Sequence, residues 1–285
     1  MKKKILIIFF FIILIKLFLN ADKLTILWWN INNLFDTIND PLKEDIVLTN
    51  IEYNDKIVKI SKKIKSINAD LIGLAEVENI EILRDIANLS TYSFYYLIEG
   101  NDPRGIDICL LSKWKLNYIS HKDLPVPYKE DKNYKFSRDC SEASFYFNGE
   151  KIYILLNHLK SQIGDKEKSF KKQKAQVKGI LDIIYSIYKK NSDLPNIIIM
   201  GDFNTQRFTE PLNILEKSDL KIINYLFNEK KVYTYKKGEF ITTLDYFILN
   251  DILYNKVKIK KLKIFKTREF KNISDHFPLL LEFDL

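Results

Sequence analysis

The sequence predicts an α/β or α+β sandwich, with mixed β-sheets inside and helices outside, and three observations carry that prediction. Apolar runs too short for helices recur along the whole chain. Helical repeats with lysine-filled outer faces alternate with those runs. One pair of runs is joined by Asn148-Gly149, a strong two-residue hairpin signal, so at least part of the sheet is antiparallel.

The elements follow in chain order. Met1–Lys4 is basic, Ile5–Ile15 is an unbroken apolar run, Lys16 interrupts it and Asn20-Ala21 ends it, which reads as a secretory signal peptide over residues 1–21. An uncleaved anchor and a buried helix are the alternatives, and a lysine inside so short a run disfavours a span. The remaining residues, 22–285, read as one domain, exported to the periplasm or beyond the cell, with no stable membrane span once the signal is gone. Leu24–Trp29, Leu71–Ala75, Ile106–Leu111, Ile152–Leu156 and Ile197–Met200 read as buried strands, and Ser144–Phe147 as the hairpin partner of Ile152–Leu156. Thr242–Leu249 and Phe277–Phe283 are further strand candidates. Ile57, Ile60, Ile64 and Ile67 step by three and four, as do Val177, Ile180, Leu181, Ile184 and Tyr188. Ile80, Leu83 and Ala87 mark a shorter helix, and Pro211 suits the first turn of another.

Composition narrows the class. The chain has 285 residues, 46% hydrophobic and 29% charged, which excludes disorder. Two cysteines and no CxxC pair exclude a disulfide miniprotein and a zinc knuckle; Cys109 and Cys140 could pair after export or stay as buried thiols. The formal charge is +8, but the signal segment holds four lysines and no acid, so the mature domain is only mildly basic at +4. That suits a polyanionic substrate without demanding one.

The polar residues that end the apolar runs are more telling. Trp28-Trp29 runs into Asn30, Leu71–Ala75 into Glu76, Ile152–Leu156 into Asn157-His158, and Ile197–Met200 into Gly201-Asp202-Phe203-Asn204; Ser274-Asp275-His276 precedes the last run. Taken singly these are turn formers, caps or structural histidines. Together they would strand polar groups in a core unless they converge on something wet and charged. Carboxylates and amides without a Cys–His set favour a hard cation such as Mg²⁺, and two histidines suggest proton transfer near neutral pH. The third histidine, His121, sits in a polar stretch and reads as surface.

The set resembles the endonuclease/exonuclease/phosphatase superfamily, the deoxyribonuclease I-like fold. Trp29-Asn30-Ile31-Asn32, Gly73-Leu74-Ala75-Glu76, Phe136-Ser137-Arg138, Asn157-His158, Gly201-Asp202-Phe203-Asn204, Leu244-Asp245-Tyr246 and Ser274-Asp275-His276 stand in family order across residues 24–285. The resemblance implies a four-layer sandwich of two packed sheets flanked by helices, and metal-dependent phosphoester hydrolysis with Mg²⁺, or Mn²⁺ or Ca²⁺ in its place. It makes Glu76 the main metal ligand, with Asp275 and Asn30 completing or supporting the site. Asp202 and Asn204 would hold the scissile phosphate and position the water. His158 and His276 would be the proton-transfer pair, with Asp245 orienting His276, Asp107 a candidate partner for His158, and Arg138 on a phosphate. The run Arg104-Gly105-Ile106-Asp107 is similar to exported bacterial members and lacks the tyrosine of abasic-site enzymes. The extra motifs of inositol polyphosphate 5-phosphatases are absent. A monomeric DNA endonuclease with little sequence preference is the leading expectation. Phospholipid phosphodiesterase, for which Tyr92–Tyr96 is the one aromatic cluster a membrane could meet (although its pattern reads as a strand), or phosphoinositide phosphatase is the alternative, and a non-catalytic surface protein a remote third.

Overall fold

The computed structural model describes residues 22–285, so the expected signal segment lies outside the described residues. Fourteen strands carry the fold among these residues. They are β1 (Lys23–Leu34), β2 (Leu71–Val77), β3 (Phe94–Leu97), β4 (Asp107–Ser112), β5 (Asn117–Ile119), β6 (Cys140–Phe147) and β7 (Glu150–His158), followed by β8 (Asn196–Asp202), β9 (Leu220–Ile222), β10 (Tyr235–Lys237), β11 (Phe240–Thr242), β12 (Asp245–Asn250), β13 (Lys258–Ile264) and β14 (Leu279–Asp284). One six-stranded sheet has the order β13-β14-β1-β2-β4-β3, the other β5-β6-β7-β8-β12-β9, and β10-β11 is a separate hairpin.

Each sheet has one parallel pair at its centre, β1 with β2 and β7 with β8, and antiparallel neighbours elsewhere. A parallel pair needs a long crossover. Helices α1 (Asn50–Ile67) and α3 (Lys166–Lys190) supply it, with α2 (Ile80–Ser90) beside α1. Helix α1 starts at a Thr49/Glu52 capping box and stops at Asn68, whose left-handed backbone closes the last turn. The short α4 (Glu210–Glu216) has Pro211 in its first turn, as expected.

The unbroken apolar runs are explained by burial of both sheet faces. Leu71 and Ala75 of β2 and Ile154, Leu156, Ile198 and Met200 of β7 and β8 point into the layer between the sheets. Their alternates face the helices: Ile72 and Leu74 toward α1 and α2, and Leu155, Ile197 and Ile199 toward α3. The sheets approach so closely that a Cβ on Gly73 would lie 2.7 Å from Met200 Cε and 2.8 Å from Trp28 Cε3. The Asn148-Gly149 hairpin forms with both residues at positive φ, 52° and 79°, as its turn type requires.

Two sequence expectations change, and one open alternative closes. Thr242–Leu249 is broken into the end of β11 and the start of β12. His121 is not free surface: its side chain is 19% exposed, and Nε2 lies 3.1 Å from Glu142 Oε2. Cys109 and Cys140 are both free and buried, in different sheets. The aromatic run Tyr92–Tyr96 is half taken up by edge strand β3, with Tyr92 buried and Tyr96 stacked on Tyr118. Among the described residues no helix is long and apolar enough to cross a membrane.

Candidate active site

A cavity of about 600 Å³ opens where the polar ends of the two sheets meet. Glu76, Asp275, Asp202, Asn204, His158, His276, Arg138 and Arg104 line it. Strand periodicity alone would aim Glu76 elsewhere. The β2–β4 register shifts between Ala75 and Val77, and the β1–β2 register between Asn30 and Leu34. Such bulges re-aim side chains beside functional sites. Glu76, Asn32, Asn33 and Asn204 all take left-handed backbone, with φ of 69°, 56°, 49° and 49°. Asparagine tolerates that region; glutamate does so rarely, and the surroundings must hold it there. They do: Asn33 N donates to Glu76 Oε2 at 2.8 Å, Asn30 Nδ2 donates to Oε1 at 3.0 Å, and Lys56 Nζ donates to the carbonyls of Asn32 and Asn33.

Hydrogen bonds stitch the two sheets together at this end. Asn30 Nδ2 also donates to Asp202 Oδ2 at 3.1 Å, and Trp28 Nε1 donates to Asp245 Oδ1 at 2.9 Å. His276 Nδ1 lies 2.9 Å from Asp245 Oδ2, and its Nε2 is 3.7 Å from Asp202 Oδ2. His158 Nε2 is 3.5 Å from Asp202 and 3.8 Å from Glu76, while its buried Nδ1 has no hydrogen-bond partner. Asn204 N donates to Asp202 Oδ1 at 2.8 Å, and Asn204 Nδ2 donates to the Leu159 carbonyl at 3.0 Å.

The two imidazoles sit in opposite electrostatic settings. Burial disfavours charge on His276, but Asp245 and Asp202 outweigh it and lift its pKa well above the usual value. Burial, and then Arg138, His276 and Arg104, push His158 well below its usual value. Burial, opposed by His276 and aided by Asp245, raises Asp202. At neutral pH the cavity therefore holds one charged imidazole and one neutral one.

The donor chemistry fits a hard divalent cation. Glu76, its side chain 14% open, and Asp275 bring carboxylate oxygens to the cavity. Asn30 ties the site together: its Nδ2 holds Glu76 and Asp202, and its Oδ1 accepts from Asn32 N. Asp202, Asp245 and His276 also bring ligand-type atoms within 4.8 Å of one another. That trio is a less suitable cation site, because both carboxylates are 1% exposed whereas the Glu76 side chain is open to the cavity.

Asp107 does not partner His158. Its Oδ1 accepts from Gly100 N at 2.7 Å, and burial, partly offset by that hydrogen bond, raises its carboxyl to about 8. It lies at the start of β4 and is not among the residues that line the cavity. Sequence reasoning also missed Asp102 and gave Arg104 no role. Asp102 is clasped by Arg104 through Nε and Nη2 at 3.0 and 3.1 Å and by Arg138 Nε at 2.7 Å. Burial opposes its charge, yet the two guanidiniums hold it below the usual carboxylate range. Arg104 Nη1 also reaches Asn33 Oδ1 at 3.2 Å, tying the basic wall to the end of β1, whose Asn33 N holds Glu76. Arg104 stood inside a motif already singled out, but as the lead-in to a strand. Tyr235, whose ring meets His276 edge-on at 4.8 Å, had no sequence signal beyond its place before the Thr242 run.

Comparison with known proteins gives the family and the fold. Residues 25–275 match the endonuclease/exonuclease/phosphatase family, and the chain belongs to it. The family is one of phosphoesterases, and the two packed mixed sheets flanked by helices are its fold. Among solved structures, a family member from Leptotrichia buccalis is similar at 14% identity and TM-score 0.63, covering 92% of this chain and 100% of that one. A family member from Bacteroides thetaiotaomicron matches at 14% identity and TM-score 0.62, covering 93% and 100%. D. rerio TDP2 complexed with single-strand DNA product matches at 15% identity and TM-score 0.64, covering 93% and 100%. Among curated proteins no sequence match is found.

Proposed function

We propose that the chain is an exported, Mg²⁺-dependent phosphodiesterase that cuts DNA with little sequence preference, acting as a monomer. The observation that carries the reading is the convergence on one cavity of a carboxylate pair, a charged and a neutral histidine, and two arginines. A phosphodiester transition state gathers negative charge on its non-bridging oxygens, and groups that stabilise this charge lower the barrier. Arg138, Arg104, Asn204 Nδ2 and the His276 imidazolium supply such groups. A divalent cation held by Glu76 and Asp275 would add Lewis-acid stabilisation of the same charge. Asp202 and His158 adjoin each other in states short of full charge, which suits them to orient the attacking water and accept its proton. His276, held protonated by Asp245, suits the leaving oxygen. The Tyr92–Tyr96 run, half-buried against β4 and Tyr118, offers little for a membrane, which weighs against a lipid substrate.

A substrate panel tests the reading. Purified residues 22–285 are incubated with supercoiled plasmid, RNA, sphingomyelin vesicles and phosphoinositide, each with Mg²⁺ and with EDTA. Nicked plasmid that disappears in EDTA is the expected result. Release of phosphocholine or inorganic phosphate with plasmid left intact would overturn it.

A further inference from the structure

Beside the catalytic cavity lies a second hollow of about 670 Å³, and the two share Arg104, Arg138, Ser161 and Ile163. Lys160 and Lys172 line this hollow. Among the described residues neither forms an ion pair, whereas the flanking Lys171 and Lys174 pair with Glu130, Glu167 and Glu210. The acids nearby are otherwise engaged or exposed. Asp102 is clasped by the two arginines, Asp131 Oδ1 accepts from Asn133 N, and Glu44 faces solvent. Burial, and then Arg138 and Lys172, hold the Lys160 ammonium below the usual lysine range. Five cations, Lys135 among them in a pair with Asp123, and three carboxylates line this polar recess, a surplus of positive charge that an added anion relieves.

The walls narrow the anion's class. Tyr134 lines the hollow, meets Tyr128 edge-to-face at 5.3 Å, and carries the Lys172 ammonium 4.7 Å above its ring. Cations interleaved with aromatic faces are how proteins track a nucleic acid strand, with phosphate on the cation and base on the ring. A free phosphate or a lone headgroup has no use for the aromatic wall. We propose that this hollow is a second phosphate subsite, in which Lys160 and Lys172 hold a backbone phosphate neighbouring the scissile one on a nucleic acid strand. The inference rests on the phosphodiesterase reading of the adjoining cavity, and it makes the substrate a polymer rather than a monoester or a lipid.

The test compares wild type with Lys160→Ala/Lys172→Ala on a fluorescein-labelled DNA single strand and on bis(p-nitrophenyl) phosphate, which has one phosphate. The expected result is a KM for DNA raised by about tenfold or more, and a salt dependence shallower by roughly 0.7 in log–log slope for each phosphate that the variant no longer neutralises. The preference for DNA over the small diester falls with it, and Lys160→Arg/Lys172→Arg restores much of it. Equal losses on both substrates, or no change on DNA, would overturn the subsite. Anisotropy of the labelled strand in EDTA separates the two readings. If wild type hydrolyses neither substrate, the catalytic reading fails, and the subsite then stands on a tenfold loss of binding in the variant and falls on unchanged or absent binding. If the alanine pair lowers the melting temperature, Lys160→Gln/Lys172→Gln carries the same comparison.

Discussion

The layer between the two sheets has a dry stretch and a wet end, built from the same strands. Along the dry stretch Trp28, Ala75, Leu156, Met200 and Phe247 pack face to face. One or two residues further along, the same strands present Asn30, Glu76, His158 and Asp202, and Asp245 lies two residues before Phe247. Packing fixes the first region and hydrogen bonds the second. Burial of polar groups without partners is costly, so the wet end is tolerated only because Asn30, Trp28 and His276 bridge the sheets there. The difference teaches where function was placed: at the point where the sandwich stops being held by apolar contact and the backbone departs from regular strand, at Asn32, Asn33, Glu76 and Asn204.

Substitutions should separate the two regions, the largest effects falling on the rate. His158→Ala removes the neutral imidazole beside Asp202 and is expected to lower kcat by about 10²–10⁴-fold, with folding preserved by circular dichroism. In the dry stretch the effects fall on stability instead. Met200→Ala opens a cavity against Gly73 and Trp28 and should cost about 2–5 kcal/mol in denaturant unfolding. Gly73→Val overfills the same point and should cost about 1–3 kcal/mol. Unchanged unfolding midpoints in both would show that the sheets are not in contact there.

A smaller effect is expected at Asp107, which is buried near the site yet outside its hydrogen-bond network. Burial raises its folded carboxyl from 3.8 to about 8, so the folded state favours the protonated form. That contribution is fully present below about pH 3.8 and is lost as pH rises through about 8. Asp107→Asn keeps the acceptor for Gly100 N and removes the ionisation. The variant should therefore melt higher than wild type at pH 8, with the difference shrinking toward pH 4. A gap that grows toward low pH would contradict this.

The strands that build the dry stretch were legible in the sequence because both of their faces are buried, which leaves runs such as Ile197–Met200 without polar interruption. Edge strand β13 was not, because Lys258, Lys260, Lys261 and Lys263 make it look like solvated surface, and only its pairing with β14 makes it a strand. At the site, the residues that end strands were legible as a set. Asp102 and the role of Arg104 were not, since a single Asp-x-Arg pair is no signal and the second arginine, Arg138, lies far along the chain. Asp107 was misplaced for the converse reason: a carboxylate next to a motif looks available, but its partner is a backbone N–H seven residues away.

The most direct test of the wet end as a hydrolytic centre is nicking of supercoiled plasmid by wild type and by Glu76→Gln, with melting temperatures measured alongside. Glutamine keeps the size of the side chain and an acceptor for Asn33 N, but takes away the charge that would hold a divalent cation. The expected result is nicking by wild type in Mg²⁺, none in EDTA, and a loss of at least about 10²-fold in Glu76→Gln without loss of folding. Plasmid left intact by wild type in Mg²⁺, Mn²⁺ and Ca²⁺, or equal nicking by wild type and Glu76→Gln, would contradict it.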